Sequence, residues 1–279
     1  MVFPADDVLA RDLATGAGER LLSLRAAAAA AESAAAGVGD QVVGDAAGAD
    51  YLPSGGSLTD RLRRGGDLRS QHFLAESLTR LRPGDAVLSE EAADDLARLS
   101  ASRVWIIDPL DGTREFGEPG RVDWAVHVAL WENGELTAGA VALPAQGAVL
   151  CTAAPPPAPA PAGSRIRLVV SRTRPPEFVQ RLAGQLDAEL VPLGSAGAKA
   201  AAVITGQADA YVHSGGQYEW DSAAPVAVAR AAGLHTSRID GARLAYNSEQ
   251  PWMPDILICP VVLADRLLDA ISTARRGGE

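Results

Sequence analysis

Apolar positions along the chain follow two periods, separated by stretches with none. Between residues 8 and 31, leucine and alanine recur at helical spacing and end in six alanines, Ala26 to Ala31, which predicts a helix. Residues 37–57 are rich in Gly, Ala and Ser without a period, and a mobile loop is expected there. From Asp67 the helical pattern returns, with Leu74, Leu78 and Leu81 on one face and Asp67 placed as N-cap. "AVLSEE" (86–91) and "RVWII" (103–107) are short apolar runs that read as buried strands, each ending in acid. "WAVHVALW" and "LTAGAVAL" flank "ENGE", whose Asn133-Gly134 pair predicts a hairpin. In the second half, strands at 166–170, 209–213 and 255–260 interleave with helices near 176–186, 198–205 and 222–232. Such interleaving predicts a layered α/β class.

The proline-rich segment 152–164 reads as an extended, solvated connector. It divides an N-terminal lobe (1–151) from a C-terminal lobe (165–279) that completes the site and the substrate pocket. With 279 residues, 47% of them hydrophobic, the chain can bury a sizeable core as one large domain or two packed lobes. The formal charge of −10 and the absence of a dense basic run exclude a nucleic-acid polymer or an anionic membrane as partner. An anionic substrate would therefore need a bound cation to attract it. Cys151 and Cys259 make neither a disulfide framework nor a zinc cluster, which suits a reducing cytoplasm. Asp6 and Asp7 stand where a signal peptide would carry basic residues, and the uncharged run 136–164 is broken by Pro144, Gln146 and the proline cluster. No membrane span is expected, and the expected location is cytoplasmic.

"WIIDPLDGTREF" (105–116) carries the chemistry. Pro109 cannot continue a strand ladder, so a turn is expected there, with Asp108, Asp111 and the Leu110 carbonyl aimed at one point. Two carboxylates about 4 Å apart repel by about 4 kcal/mol at an effective dielectric near 20. A divalent cation turns that repulsion into attraction, and Mg²⁺ takes hard oxygens together with phosphate and water. Gly112 leaves the backbone uncrowded, so that the Gly112 and Thr113 amides can face an anion. The plainer alternative is that both acids only form a turn, one of them capping a helix. The haloacid-dehalogenase pattern needs its acids two apart, and an EF-hand loop needs them alternating before its glycine; neither fits. Glu90 closes the neighbouring strand and can reach the same metal. Asp221 opens the helix "SAAPVAVARAAG", as a ligand or as its N-cap.

"SEE" (89–91), "WIIDPLDGT" (105–113) and "EWDSAAP" (219–225), in this order and spacing, resemble the inositol monophosphatase superfamily of Mg²⁺-dependent, lithium-sensitive phosphatases. The likeness extends over roughly residues 67–260. "DGTREF" and "GSAGAK" (194–199) point to its bacterial 3'(2'),5'-bisphosphate nucleotidases, linked to sulfate assimilation. The resemblance implies an α-β-α-β-α fold and two Mg²⁺ ions, with a third allowed. It implies Glu90, Asp108, the Leu110 carbonyl, Asp111 and Asp221 as metal ligands. Asp67 would help hold the further ion and its water, Thr113 would orient that water, and the Gly112 and Thr113 amides would bind phosphate. "RRGGD" departs from the usual segment before the first acid, and "LTD" (58–60) competes with it. Only Asp67 lies 23 residues before Glu90, the expected spacing.

The implied reaction is hydrolysis of the 3'-phosphate of 3'-phosphoadenosine 5'-phosphate by metal-activated water. Substrate contacts are expected from Glu90, Leu110, Asp111, Gly112, Thr113, Arg114, Ser195, Lys199 and Asp221. Lys199 is the only lysine beside 24 arginines; with Ser195 it is expected to hold the retained 5'-phosphate, the plainer alternative being a solvated helix residue. Tyr211, Tyr218 or Tyr246 could stack on adenine, or merely pack. The four histidines show no nucleophile–base spacing, and core or surface roles are expected for them. The expected partner is a small phosphorylated substrate, and a homodimer is allowed. The competing readings are an inositol monophosphatase or fructose 1,6-bisphosphatase on the same fold, and a non-catalytic nucleotide or metal sensor.

Overall fold

Strand alternation builds two sheets, each with both faces covered. The computed structural model describes residues 4–35, 53, 55–160, 163, 165–173 and 175–276. The first sheet runs in the order β1 (Ala86–Ser89), β2 (Arg103–Asp111), β3 (Ala125–Glu132), β4 (Glu135–Leu143), β5 (Ala148–Cys151). The second sheet takes β6 (Arg167–Ser171), β7 (Glu189–Leu193), β8 (Ala210–Tyr218), β9 (Leu234–Ser237) and β10 (Trp252–Pro260) in the order β7-β6-β8-β10-β9. β1 pairs parallel with β2, and β6 pairs parallel with β7 and β8; the other pairings are antiparallel.

Three cores separate five layers. Trp105 and Ile107 of β2 pack against α1 (Asp6–Ala35) and α2 (Leu58–Leu81). Val104 and Ile106, on the opposite face, join a middle core with α5 (Ala196–Ile204) and α6 (Glu219–Ala231). Val169 and Ile258 close that core from the second sheet, while Leu168 and Leu257 pack outward on α4 (Glu177–Leu186) and α7 (Val261–Arg276). The period of two along each strand thus produces the α-β-α-β-α order.

The hairpin forms as expected, with Asn133 and Gly134 at φ 49° and 97°. Three expectations are corrected. α2 begins at Leu58, where Ser57 Oγ accepts from the Asp60 amide at 3.1 Å, so Asp67 lies in mid-helix and caps nothing. The chain makes no turn at Pro109. β2 continues as a bulge, because Asp108 faces His127 and Asp111 faces Ala125, three steps on β2 against two on β3. Proline has no amide to donate and is tolerated at such a bulge. Residues three apart in a regular strand point to opposite faces; the extra residue restores Asp111 to the side of Asp108.

The third correction concerns Asp221, which lies inside the first turn of α6 rather than at its cap. β5, β7, β9, α7 and the short helix α3 (Thr113–Gly117) were not anticipated from the pattern. β7 and β9 are edge strands, and β7 buries none of its residues, so its sequence carries no core alternation. The expected loop at 37–57 lies mostly outside the described residues. Among the described residues no helix is long and apolar enough to cross a membrane.

Glycines in the middle of α2 explain the unusual "RRGGD". A helix-interior glycine costs about 0.5–1 kcal/mol relative to alanine. A Cβ at Gly66 would come within 2.7 Å of the Phe116 ring and 2.8 Å of the Leu110 side chain. The bare backbone lets α2 lie directly on residues 110–116 and brings Asp67 to Thr113.

Candidate active site

The ends of β1 and β2, the middle of α2 and the first turns of α5 and α6 converge on one acidic cluster. Asp108, Asp111 and Asp221 each place a carboxylate oxygen within 4.8 Å of the others. Glu90, just beyond β1, brings its carboxyl within hydrogen-bonding reach of the Asp108 carboxyl, an arrangement that needs a shared proton or an intervening cation. Asp108 is 1% exposed, and its Oδ1 accepts from the Leu110 amide at 3.0 Å. Burial, then Glu90, Asp111 and Asp221, push its carboxyl well above the ordinary range. Burial and the Asp221 charge raise Glu90 to about 7, although part of its side chain meets solvent. Burial and then Asp111 raise Asp221 to about 6; its Oδ2 also accepts from the Tyr218 amide at 2.6 Å.

Asp111 differs from its neighbours. Burial would raise it, but His127, Lys199 and the Gly197 amide hold it below the usual carboxylate range. Its Oδ1 accepts from the Ala196 amide at 3.1 Å and its Oδ2 from the Gly197 amide at 2.5 Å. The amides at the α5 N-terminus are thus occupied by a carboxylate of the chain itself. His127 was assigned no site role from sequence. It is fully buried on β3, with Nε2 3.2 Å from Asp111 Oδ2 and Nδ1 3.0 Å from the Trp220 carbonyl. A histidine inside an apolar strand opposite Asp108 was the available signal.

Beside the cluster, Thr113 Oγ1 lies 3.2 Å from Asp67 Oδ1 and 3.1 Å from the Leu110 carbonyl. Burial, then Glu91, raise Asp67 to about 7. Asp60, the competing acid, bonds Ser57 instead. Gly112 holds φ 85° at the entry to α3, a left-handed conformation that favours glycine.

A cavity of about 320 Å³ opens next to the acids, with Ser195, Lys199, Tyr211, Tyr218 and Trp252 in its wall. Ser195 Oγ accepts from the Ala198 amide at 2.9 Å, capping α5. Lys199 Nζ donates to the carbonyls of Gly194 (2.6 Å) and Ser195 (2.9 Å), so two of its three hydrogens are engaged. Burial lowers its pKa despite Asp111 and Asp221 nearby. Arg114 is exposed and is not among the residues lining this cavity. Of the three tyrosines, Tyr246 is buried against Ser222, away from the cavity. Tyr211 lines it from within the core, and Tyr218 lines it at 44% exposure, stacked on Trp220 with centroids 4.6 Å apart. Trp252, overlooked in the sequence, is 51% exposed and meets Tyr218 edge-on at 5.6 Å.

The donor set fits a hard divalent cation. Four carboxylates crowd together, three with pKa values pushed up, while the nearest ammonium is turned to backbone carbonyls. Asp108, Asp111, Asp221, Glu90 and the Leu110 carbonyl would hold such ions, with Asp67 at the edge.

Comparison with other proteins identifies the family and the fold. The 3'-phosphoadenosine 5'-phosphate phosphatase of Mycobacterium bovis is 55% identical over 223 residues, 77% of this chain and 84% of that one. The protein of the same name from Mycobacterium leprae is 46% identical over 278 residues, 95% of this chain and 93% of that one. The crystal structure of CysQ from Bacteroides thetaiotaomicron, a bacterial member of the inositol monophosphatase family, shares the fold. Its TM-score is 0.70, with 24% identity, over 91% of this chain and 97% of that one. The profile of the inositol monophosphatase family matches residues 23–274. The chain belongs to the inositol monophosphatase family.

Proposed function

We propose that this enzyme is a Mg²⁺-dependent, cytoplasmic phosphatase that removes the 3'-phosphate from 3'-phosphoadenosine 5'-phosphate, leaving AMP and phosphate. The observation that carries the reading is the crowded carboxylate cluster opening onto a cavity with an exposed aromatic rim. The names of the relatives supply the substrate class. An inositol or fructose phosphate has no π face to set against Tyr218 or Trp252; a nucleobase does.

When bound, Mg²⁺ would lower the pKa of water and neutralise charge on the phosphoryl oxygens. The chain's own residues do the rest. Thr113 has one hydroxyl hydrogen and two acceptors. When it donates to ionised Asp67, the Leu110 carbonyl keeps its lone pairs for a cation, and the Oγ1 lone pairs can accept from water. Burial raises Asp67 to about 7 in the metal-free fold; ionised beside a bound cation, its carboxylate can accept a proton from water. As the water oxygen bonds to phosphorus, the bond to the ribose 3' oxygen breaks and that oxygen takes up a proton. The third hydrogen of Lys199 and the Ser195 region are assigned to the retained 5'-phosphate, and Trp252 with Tyr218 to the base. No phosphoenzyme is required.

A phosphate-release panel with Mg²⁺ tests this: 3'-phosphoadenosine 5'-phosphate, inositol 1-phosphate, fructose 1,6-bisphosphate and AMP. Preference for either sugar or inositol ester would overturn the substrate assignment. Trp252→Ala should raise KM for the bisphosphate at least about fivefold, as expected from a stacking contribution of about 1–3 kcal/mol. Lys199→Ala should raise it roughly tenfold, about the value of a charged hydrogen bond. Neither should change KM for inositol 1-phosphate. Equal losses on both substrates would remove these two residues from base and 5'-phosphate recognition.

Metal binding should depend on pH. The raised carboxylates hold extra protons in the metal-free fold between about pH 4 and about pH 7. Their stabilising contribution is complete below their ordinary pKa values and is lost as pH rises through the folded ones. Metal-free protein should therefore melt progressively lower across that window, and Mg²⁺ should bind more tightly as the protons leave. Melting curves in chelator and in Mg²⁺ should diverge with rising pH; parallel curves would contradict the site.

A further inference from the structure

We infer that His127 is a positioning residue that fixes which oxygen of Asp111 faces the metal and ties Asp111 to the segment carrying Asp221. This inference rests on reading the acidic cluster as a metal site. Asp111 comes from β2 of the first sheet, whereas Asp221 comes from α6, which follows β8 of the second. A shared ion needs both to be held at one distance, although they belong to different layers. His127 makes the physical link between them. Its Nε2 lies 3.2 Å from Asp111 Oδ2, and its Nδ1 lies 3.0 Å from the carbonyl of Trp220, the residue before Asp221.

The imidazole does not line the cavity. It is fully buried in the middle of an apolar strand, where an unsatisfied polar ring would be costly. The chain also makes room for it. A Cβ at Gly197 would stand 2.2 Å from Nε2, 2.9 Å from Ala125 Cβ and 3.0 Å from Asp111 Oδ2. The glycine at this point of "GSAGAK" is therefore a requirement of space.

Lone-pair counting gives the consequence. A carboxylate offers about four acceptor directions. On Asp111, Oδ2 receives the Gly197 amide and faces His127, and Oδ1 receives the Ala196 amide. One direction remains, on Oδ1. Asp111 is thereby a one-oxygen ligand with its orientation set from three sides. Partners of this kind, standing behind metal ligands, typically change metal affinity or activity by about 10–100-fold when removed.

Two near-isosteric variants divide the role. The amide nitrogen of glutamine can reach the position of Nε2 and keep a donor toward Asp111. That of asparagine reaches only the position of Nδ1, toward Trp220. Calorimetric titration with Mg²⁺ alone should show His127→Leu and His127→Asn weakened at least about tenfold, with His127→Gln recovering most of the affinity. In turnover, kcat should fall in the same order while KM for 3'-phosphoadenosine 5'-phosphate stays nearly constant, and the calorimetric stoichiometry should stay at the wild-type value, which a loss of folded protein would lower. Because both polar variants keep a hydrogen-bonding group in the buried site, their comparison stands even if the leucine variant misfolds. Equal Mg²⁺ affinity for His127→Asn and His127→Gln would overturn the inference. Asp108→Asn serves as control: if it too binds Mg²⁺ normally, the metal-site reading itself fails, rather than the role of His127.

Discussion

Asp108→Asn should abolish nearly all turnover while leaving a folded protein that melts at a higher temperature than the wild type when both are metal-free. The side chain is buried, and its charge faces Glu90, Asp111 and Asp221. In the absence of metal the site must bear that crowding or take up a proton, and either destabilises the fold at neutral pH, by at most about 4 kcal/mol for a single pair at 4 Å in an effective dielectric near 20. Asparagine has the same shape and can still accept from the Leu110 amide through its carbonyl oxygen. The repulsion is relieved, and the ligand charge is lost with it. Mg²⁺ at a hundred times its dissociation constant stabilises a protein by about 2.7 kcal/mol, so the wild type should gain several degrees on Mg²⁺ addition and the variant little. Paired melting curves and calorimetry check both halves. A folded variant with wild-type Mg²⁺ affinity would show that Asp108 is only a strand-end residue.

Thr113→Ala should lower kcat by about 10²–10⁴-fold, the usual range for a positioned proton-transfer group, with Mg²⁺ affinity little changed. Its hydroxyl touches Asp67 and the Leu110 carbonyl but carries no charge that a cation would seek. Thr113→Ser should restore most of the rate, because the oxygen returns to the same place at the start of α3. A loss no greater than about threefold, well below that range, would reduce Thr113 to a helix-entry residue. The two substitutions separate what binds the ion from what orients the water, since the first moves affinity and the second moves rate.

Much of the site was legible because its chemistry resides in residue type and spacing. Asp108 and Asp111 with Gly112 and Thr113, Glu90 at a strand end and Asp221 at a helix start all announce themselves as acids where chain direction changes. The layered α/β class followed from apolar runs of strand length alternating with helical ones, whereas the five-layer order was an implication of the family resemblance alone. What escaped were contacts whose meaning depends on a second element. His127 reads as one polar residue in an apolar strand until α6 places the Trp220 carbonyl against its other nitrogen. Trp252 reads as an ordinary strand residue until β8 places Gly216 beneath it, so close that a Cβ there would overlap the indole.

By itself, the sequence determined the class of fold, the Asn133-Gly134 hairpin and the identity of the acids, because backbone periodicity, turn geometry and charge are local properties. Only the tertiary structure decided how those acids face one another. A one-residue bulge at Pro109 turned Asp111 to the side of Asp108, and an open backbone at Gly66 let α2 deliver Asp67 to Thr113. The α5 amides went to Asp111 rather than to a substrate, and the single lysine turned to two carbonyls. Each of these outcomes depends on which surface lies opposite, and that is settled by the packing of whole layers over long sequence separations.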